Sequence, residues 1–178
     1  MYERSISLKN ITSNKFYENF SFFKNDAILK ALILRVMAVK IIDHGTKEYK
    51  QLIDLRYYML RKPLGLTFSE DELNEEKNNI HIGCFDDDKL EGCCMLVPKD
   101  NTSIQLRQMA VSSGLQGKGI GRVLMQFAEN IARDRGYKKM IMHARKTAMG
   151  FYEKLGYRKT GNEFIEVTIP HYIMEKSL

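Results

Sequence analysis

Tryptophan is absent from this 178-residue chain, and proline and cysteine occur three times each. Cys84, Cys93 and Cys94 are odd in number and lack C-x-x-C spacing, so neither a disulfide framework nor a zinc site is expected. They sit in strand-like apolar runs, as small buried residues of a protein in a reducing compartment, the cytoplasm. His44, His81, His143 and His171 show no ligand spacing, and no metal is expected. No apolar run reaches the roughly 20 residues of a membrane-spanning helix. The most apolar one, residues 27–42, is interrupted by Lys30, Arg35 and Lys40. An uninterrupted signal-peptide core is also missing. Net charge is +6, yet the basic residues form no long run and no aromatics interleave with them. Neither nucleic acid nor a membrane is therefore an expected partner, whereas a phosphorylated ligand fits.

What is present suits one domain with a real core, with 44% hydrophobic and 28% charged residues. Residues 1–36 differ from the rest: rich in Asn, Ser, Lys and Phe, without sustained period, and with six Lys/Arg against three Asp/Glu. They are expected to be an N-terminal extension, or to precede a true start at Met37, ahead of a domain over 37–178. A strand is expected from Met37. A helix with Thr46 as N-cap carries Tyr49, Leu52, Ile53, Arg56, Met59 and Leu60 and ends before Pro63. Ser69 and Glu72 form a capping box. Apolar runs flanking Asp86-Asp87-Asp88-Lys89 predict a hairpin. A strand to Val111 follows, then a helical stripe of Ile120, Val123, Leu124, Phe127, Ala128 and Ile131 ended by Gly136. A strand from Lys139 and a short helix from Thr147 come next. Two closing strands are expected near 157–160 and 164–174, with a turn at Gly161-Asn162.

The most informative residues are Gln116-Gly117-Lys118-Gly119-Ile120-Gly121-Arg122, between a strand and a helix. Alternate glycines let the backbone approach a ligand, and the helix start offers free N–H groups and a positive dipole end, a site for phosphate. The spacing fits neither the P-loop nor the dinucleotide fingerprint. As Q-x-x-G-x-G it resembles the acyl-CoA pyrophosphate loop of the GNAT superfamily of N-acetyltransferases. Some thirty residues on, Ala148 to Tyr157 resembles that family's A-x-x-F-Y-x-K-x-G-[FY] helix. The chain is identified on these two motifs, over roughly 37–178, as a member of the superfamily.

The resemblance implies an α/β fold: a central mixed, mostly antiparallel sheet split by a V-shaped cleft, with helices on both faces. It implies an acetyl-CoA-dependent N-acetyltransferase, in which a primary amine attacks the thioester in a ternary complex. The alternative is a non-catalytic acyl-CoA-binding sensor or regulatory module of the same fold. Main-chain groups of Met109, Ala110 and Val111 would hold the pantetheine arm and stabilise the oxyanion. Gln116, Gly117, Lys118, Gly119, Ile120, Gly121 and Arg122 would hold the pyrophosphate, Lys118 and Arg122 through charge-assisted contacts. Arg145 stands where the family often has an asparagine bonded to the cofactor arm. It could instead reach a phosphate or an acceptor carboxylate.

An amine attacks only as the free base, so the site must remove a proton, and the leaving thiolate must receive one. Tyr152 matches the family's usual general acid, a phenol expected to lie within about two pKa units of the thiol. His143 and Glu166 lead the candidates for base, with Glu163 and His171 behind them. Arg56, Tyr57, Tyr58, Arg61 and Pro63–Leu66 are expected to line the acceptor pocket. The acceptor would be a small-molecule or peptide amine, and the protein a monomer or homodimer.

Overall fold

Strand-forming and helix-forming runs alternate along residues 37–178, the part of the chain that a computed structural model describes. The expectations for residues 1–36 lie outside the described residues. Seven strands form one sheet in the order β1-β2-β3-β4-β5-β7-β6. They are β1 (Met37–Ile42), β2 (Ile80–Asp86), β3 (Lys89–Pro98), β4 (Ser103–Val111), β5 (Lys139–Arg145), β6 (Arg158–Glu166) and β7 (Ile169–Ser177). Every neighbouring pair is antiparallel except β4–β5, which is parallel and is joined by a helical crossover.

Among the described residues four α-helices accompany the sheet: α1 (Lys47–Arg56), α2 (Glu70–Glu75), α3 (Ile120–Asp134) and α4 (Met149–Glu153). Thr46 caps α1 by accepting from the Tyr49 N–H, and Ser69 with Glu72 forms the reciprocal capping box of α2. Gly136 stops α3 in the left-handed region, at φ 87°. On one sheet face the α3 stripe packs Ile120, Leu124, Met125 and Ala128 against Ile82, Leu96, Ile104 and Met140, all essentially inaccessible. On the other, α1 sets Tyr49 and Leu52 against Ile42, Phe85, Leu90 and Cys93. The three cysteines are free and buried.

Two local expectations are corrected. Gly161-Asn162 is not the hairpin turn. Gly161, at φ 73°, lies in an irregularity inside β6 where pairing slips between Thr160 and Phe164. The turn is Val167-Thr168, with φ 47° and 64°, and β-branched residues give no sequence signal for that conformation. The first helix also changes winding where it was expected to continue. After Arg56 come one π-helical turn, Tyr57–Arg61, and a 3-10 turn, Lys62–Leu64, closed by Gly65 at φ 69°. Such π segments recur at functional sites.

Candidate active site

The break in the sheet begins in β4. Arg107 faces Met95 and Ala110 faces Cys93, so Gln108 and Met109 together oppose the single residue Cys94. Gln108 takes φ 54° within this bulge. Parallel pairing with β5 runs only from Ser103 opposite Lys139 to Leu106 opposite Met142. Beyond those rungs the two strands part, and a cleft of about 530 Å³ opens there.

Strand alternation decides what enters the cleft. Ile104 and Leu106 join the α3 core, which turns Gln105 and Arg107 to the opposite face. Met140, Met142 and Ala144 do the same on β5, leaving His143 and Arg145 on that opposite face. From the β6–β7 hairpin come Glu166, Val167, Ile169 and His171, and the π segment adds Met59, Leu60 and Arg61. Arg56, expected here, is instead buried and donates twice to Glu76 at 2.7 and 2.8 Å. Tyr57 and Tyr58 are outside the lining, to which the same π turn gives Met59, Leu60 and Arg61. Gln105 and Arg107 went unanticipated. Their signal was present as polar residues at alternate positions between Ile104, Leu106 and Gln108.

His143 and Glu166 meet. The imidazole Nδ1 lies 3.0 Å from Glu166 Oε2, and the ring stands edge-on to Phe164 at 5.0 Å between centroids. A carboxylate accepts, so Nδ1 donates, and in the neutral imidazole Nε2 then carries the lone pair that a base requires. His171 is buried and donates from Nδ1 to the Ile169 carbonyl at 2.8 Å. Glu163 lies apart, accepting from Lys146 at 2.8 Å and from the Tyr172 hydroxyl at 2.9 Å.

Tyr152 reaches the cleft from α4 and is 7% exposed. Burial, then the neighbouring Cys94, push its phenol well above the usual value of 10, with Arg145 pulling the other way. The expected match to an ordinary thiol is therefore corrected: desolvation penalises the phenolate. The same physics acts on thiols in this interior, since burial raises Cys84 to about 11 and Cys93 to about 12.

Met109, Ala110, Val111 and Gln116 line the same cleft, and Gln116 Nε2 donates to the Val111 carbonyl at 3.3 Å. The rest of the glycine loop does not line it. Gly117 and Gly119 take φ 77° and 98°, which favours glycine, and no atom lies within 4 Å of where a Cβ on Gly117 would point. Gly119 is the N-cap of α3, with no side-chain cap and no acid in the first turn. The first N–H groups of this 15-residue helix are left with no cap of their own. Gly121 has a packing reason as well, because a Cβ there would stand 3.1 Å from the Phe151 ring. Among the described residues no three His, Cys, Asp or Glu side chains gather as metal ligands. Nor is any described helix long and apolar enough to cross a membrane.

A mostly antiparallel sheet parted beside one parallel pair, with an uncapped glycine-rich helix start, is the α/β arrangement that the resemblance implied. Residues 66–178 match the model of the acetyltransferase (GNAT) domain, and the chain belongs to that family. It is 33% identical over 110 residues to an uncharacterized N-acetyltransferase of Bacillus subtilis (strain 168), YjcF, covering 61% of this chain and 78% of that protein. It spans about half the length, 49–55%, of other curated relatives that it matches. Among solved structures, an aminoglycoside 6'-N-acetyltransferase complexed with coenzyme A superposes with a TM-score of 0.69 at 21% identity, over 79% of this chain and 96% of that one. A GNAT family acetyltransferase from Elizabethkingia anophelis with acetyl-CoA bound gives 0.62 at 20%, over 80% and 99%. These likenesses establish the expected fold class.

Proposed function

We propose that this chain transfers an acetyl group from acetyl-CoA to a primary amine by direct attack, with both ligands bound together and residues 37–178 carrying the activity. One observation carries the reading. The gap between β4 and β5 lies beside a helix start whose amides have neither a side-chain cap nor an acid in the first turn. An anionic head and an extended thioester arm suit that pair of features. The coenzyme A and acetyl-CoA complexes of the two solved neighbours support it.

In this reading the amides of Gly117 and of Gly119 to Arg122, with the Lys118 and Arg122 side chains and Gln116 beside them, hold the pyrophosphate, the Lys118 N–H being bonded to the Leu115 carbonyl. The backbone of Met109 to Val111 aligns the arm and donates to the carbonyl oxygen as negative charge develops. His143 Nε2 takes a proton from the amine while Glu166 fixes the ring. The nitrogen–carbon bond forms, the carbon–sulfur bond breaks, and the Tyr152 hydroxyl supplies hydrogen bond and proton to the departing sulfur. The products are an amide and free coenzyme A.

Calorimetric titration with acetyl-CoA, alongside thiol release over a panel of amines, tests this. Gly119→Asp places a side chain at φ 98° and a negative charge where the diphosphate would sit. It should raise the dissociation constant by about tenfold or more. An unmoved constant would remove the phosphate assignment. Binding without thiol release on any amine would instead make the chain a holder of acyl-CoA.

A further inference from the structure

Charge in the cleft is unbalanced. Three guanidinium groups line it, Arg61, Arg107 and Arg145, against one carboxylate, Glu166. Two of these four are committed: Glu166 accepts from His143, and Arg61 donates to Glu72 at 3.0 Å while lying over the Phe68 ring. The side chains of Arg107 and Arg145 form no ion pair or hydrogen bond among the described residues. Gln105, on the same face of β4 as Arg107, is only 6% exposed, and its side-chain amide likewise has no partner among the described residues. The Gln105 amide is not among the fully buried polar atoms, so it stays accessible from the cleft that it lines.

We infer that the acceptor amine carries a carboxylate, taken by Arg107 and Arg145 with Gln105 completing the polar surface. This rests on the transfer reading above and names its substrate class. A guanidinium fork matches a carboxylate bidentately, and two uncommitted forks in one cleft repel a second ammonium group. The spacing adds to this. His143 and Arg145 are same-face positions on β5, about 6.6 Å apart along the strand, so amine and acid sit a few bonds from each other. A polyamine would put its far ammonium against Arg145. An amino acid or the end of a short peptide puts its acid there.

The test measures thiol release from acetyl-CoA by the full chain. The probes are glycine, 4-aminobutyrate and a dipeptide, each beside its carboxamide, with 1,4-diaminobutane as the dication. At least one acid should exceed its carboxamide in kcat/KM by about tenfold or more. Arg145→Gln and Arg107→Gln should bring that ratio towards one, and Arg145→Lys, which keeps the charge, should keep part of it. If carboxamides or the diamine match or exceed every acid, the inference is overturned and the transfer reading stands. If Arg145→Gln weakens coenzyme A binding and leaves the ratio alone, the guanidinium serves the coenzyme and the inference is again overturned. If no amine of any charge releases thiol, the transfer reading fails and this inference fails with it.

Discussion

Two hairpins of one sheet, each closed by a two-residue turn, follow opposite rules. In β2–β3 every residue from Ile80 to Phe85 and from Leu90 to Leu96 is buried. Its turn, Asp87-Asp88, uses a residue type that tolerates the left-handed region, here Asp87 at φ 51°. In β6–β7 no β6 residue is buried, Ile165 is 65% exposed, and the turn forces Val167 and Thr168 to positive φ. Positive φ at a β-branched residue costs on the order of 1–3 kcal/mol. The first hairpin contributes cohesion and no side chain to the cleft, whereas the second contributes Glu166, Val167, Ile169 and His171. Strain and exposure are concentrated in the hairpin that meets the cleft.

If that division is right, substitutions should separate chemistry from stability by hairpin. The largest expected effect is chemical. Glu166→Gln should cut kcat by about a hundredfold, since in the proposed mechanism the imidazole that Glu166 holds takes the proton. KM for acetyl-CoA and the melting temperature should stay close to wild type, because Glu166 is half-exposed and outside the core. Steady-state kinetics with a turned-over amine and melting curves measure this, and a lowered melting temperature with intact kcat would break the comparison. In the first hairpin the effect should be on stability. A Cβ on Gly83 would stand 2.5 Å from Ile42 Cδ1 and 2.7 Å from both Leu90 Cδ1 and the Phe85 ring. Gly83→Ala should therefore cost about 1–3 kcal/mol in denaturant unfolding, as overpacking does.

The same contrast explains what the sequence revealed. The β2–β3 hairpin was legible because continuous apolar runs flank a run of aspartates, so burial and turn chemistry agreed. The α3 stripe and its glycine loop were legible for the same reason. The second turn was missed because Gly161-Asn162 carries the usual turn chemistry and Val167-Thr168 carries none. Tertiary pairing of β6 with β7 overrode the local preference. The π turn was hidden too: Met59 and Leu60 continue the α-helical spacing, and only the structure shows the extra residue that turns them to the cleft. His143 and Glu166 were named separately, 23 residues apart, and their contact depends on where the Val167-Thr168 turn falls.

A smaller effect of opposite sign should follow from relieving the turn. Val167→Asn with Thr168→Gly installs residues suited to consecutive positive φ. Unfolding free energy should rise by about 1 kcal/mol. Asp87→Asn with Asp88→Gly, the parallel change in the first hairpin, should move it by less than about 0.5 kcal/mol. Equal gains in both would mean that Val167 and Thr168 are not strained relative to the aspartates.

The smallest effect separates charge from geometry within β6. Glu163 is exposed, and the hydrogen bond from Lys146, then that from Tyr172, hold its carboxyl below the usual 4.5. A depressed carboxyl pKa favours the fold above the unfolded value, and that contribution is lost as pH falls through the folded one. Glu163→Gln removes the ionisable group. At about pH 7 the variant should melt slightly below wild type, and the gap should close on acidification to about pH 3. Melting curves across that range measure it. A gap that persists at low pH would show that Glu163 acts through the shape of the β6 irregularity rather than through its charge, and would extend the strained region of the second hairpin from the turn back to Gly161.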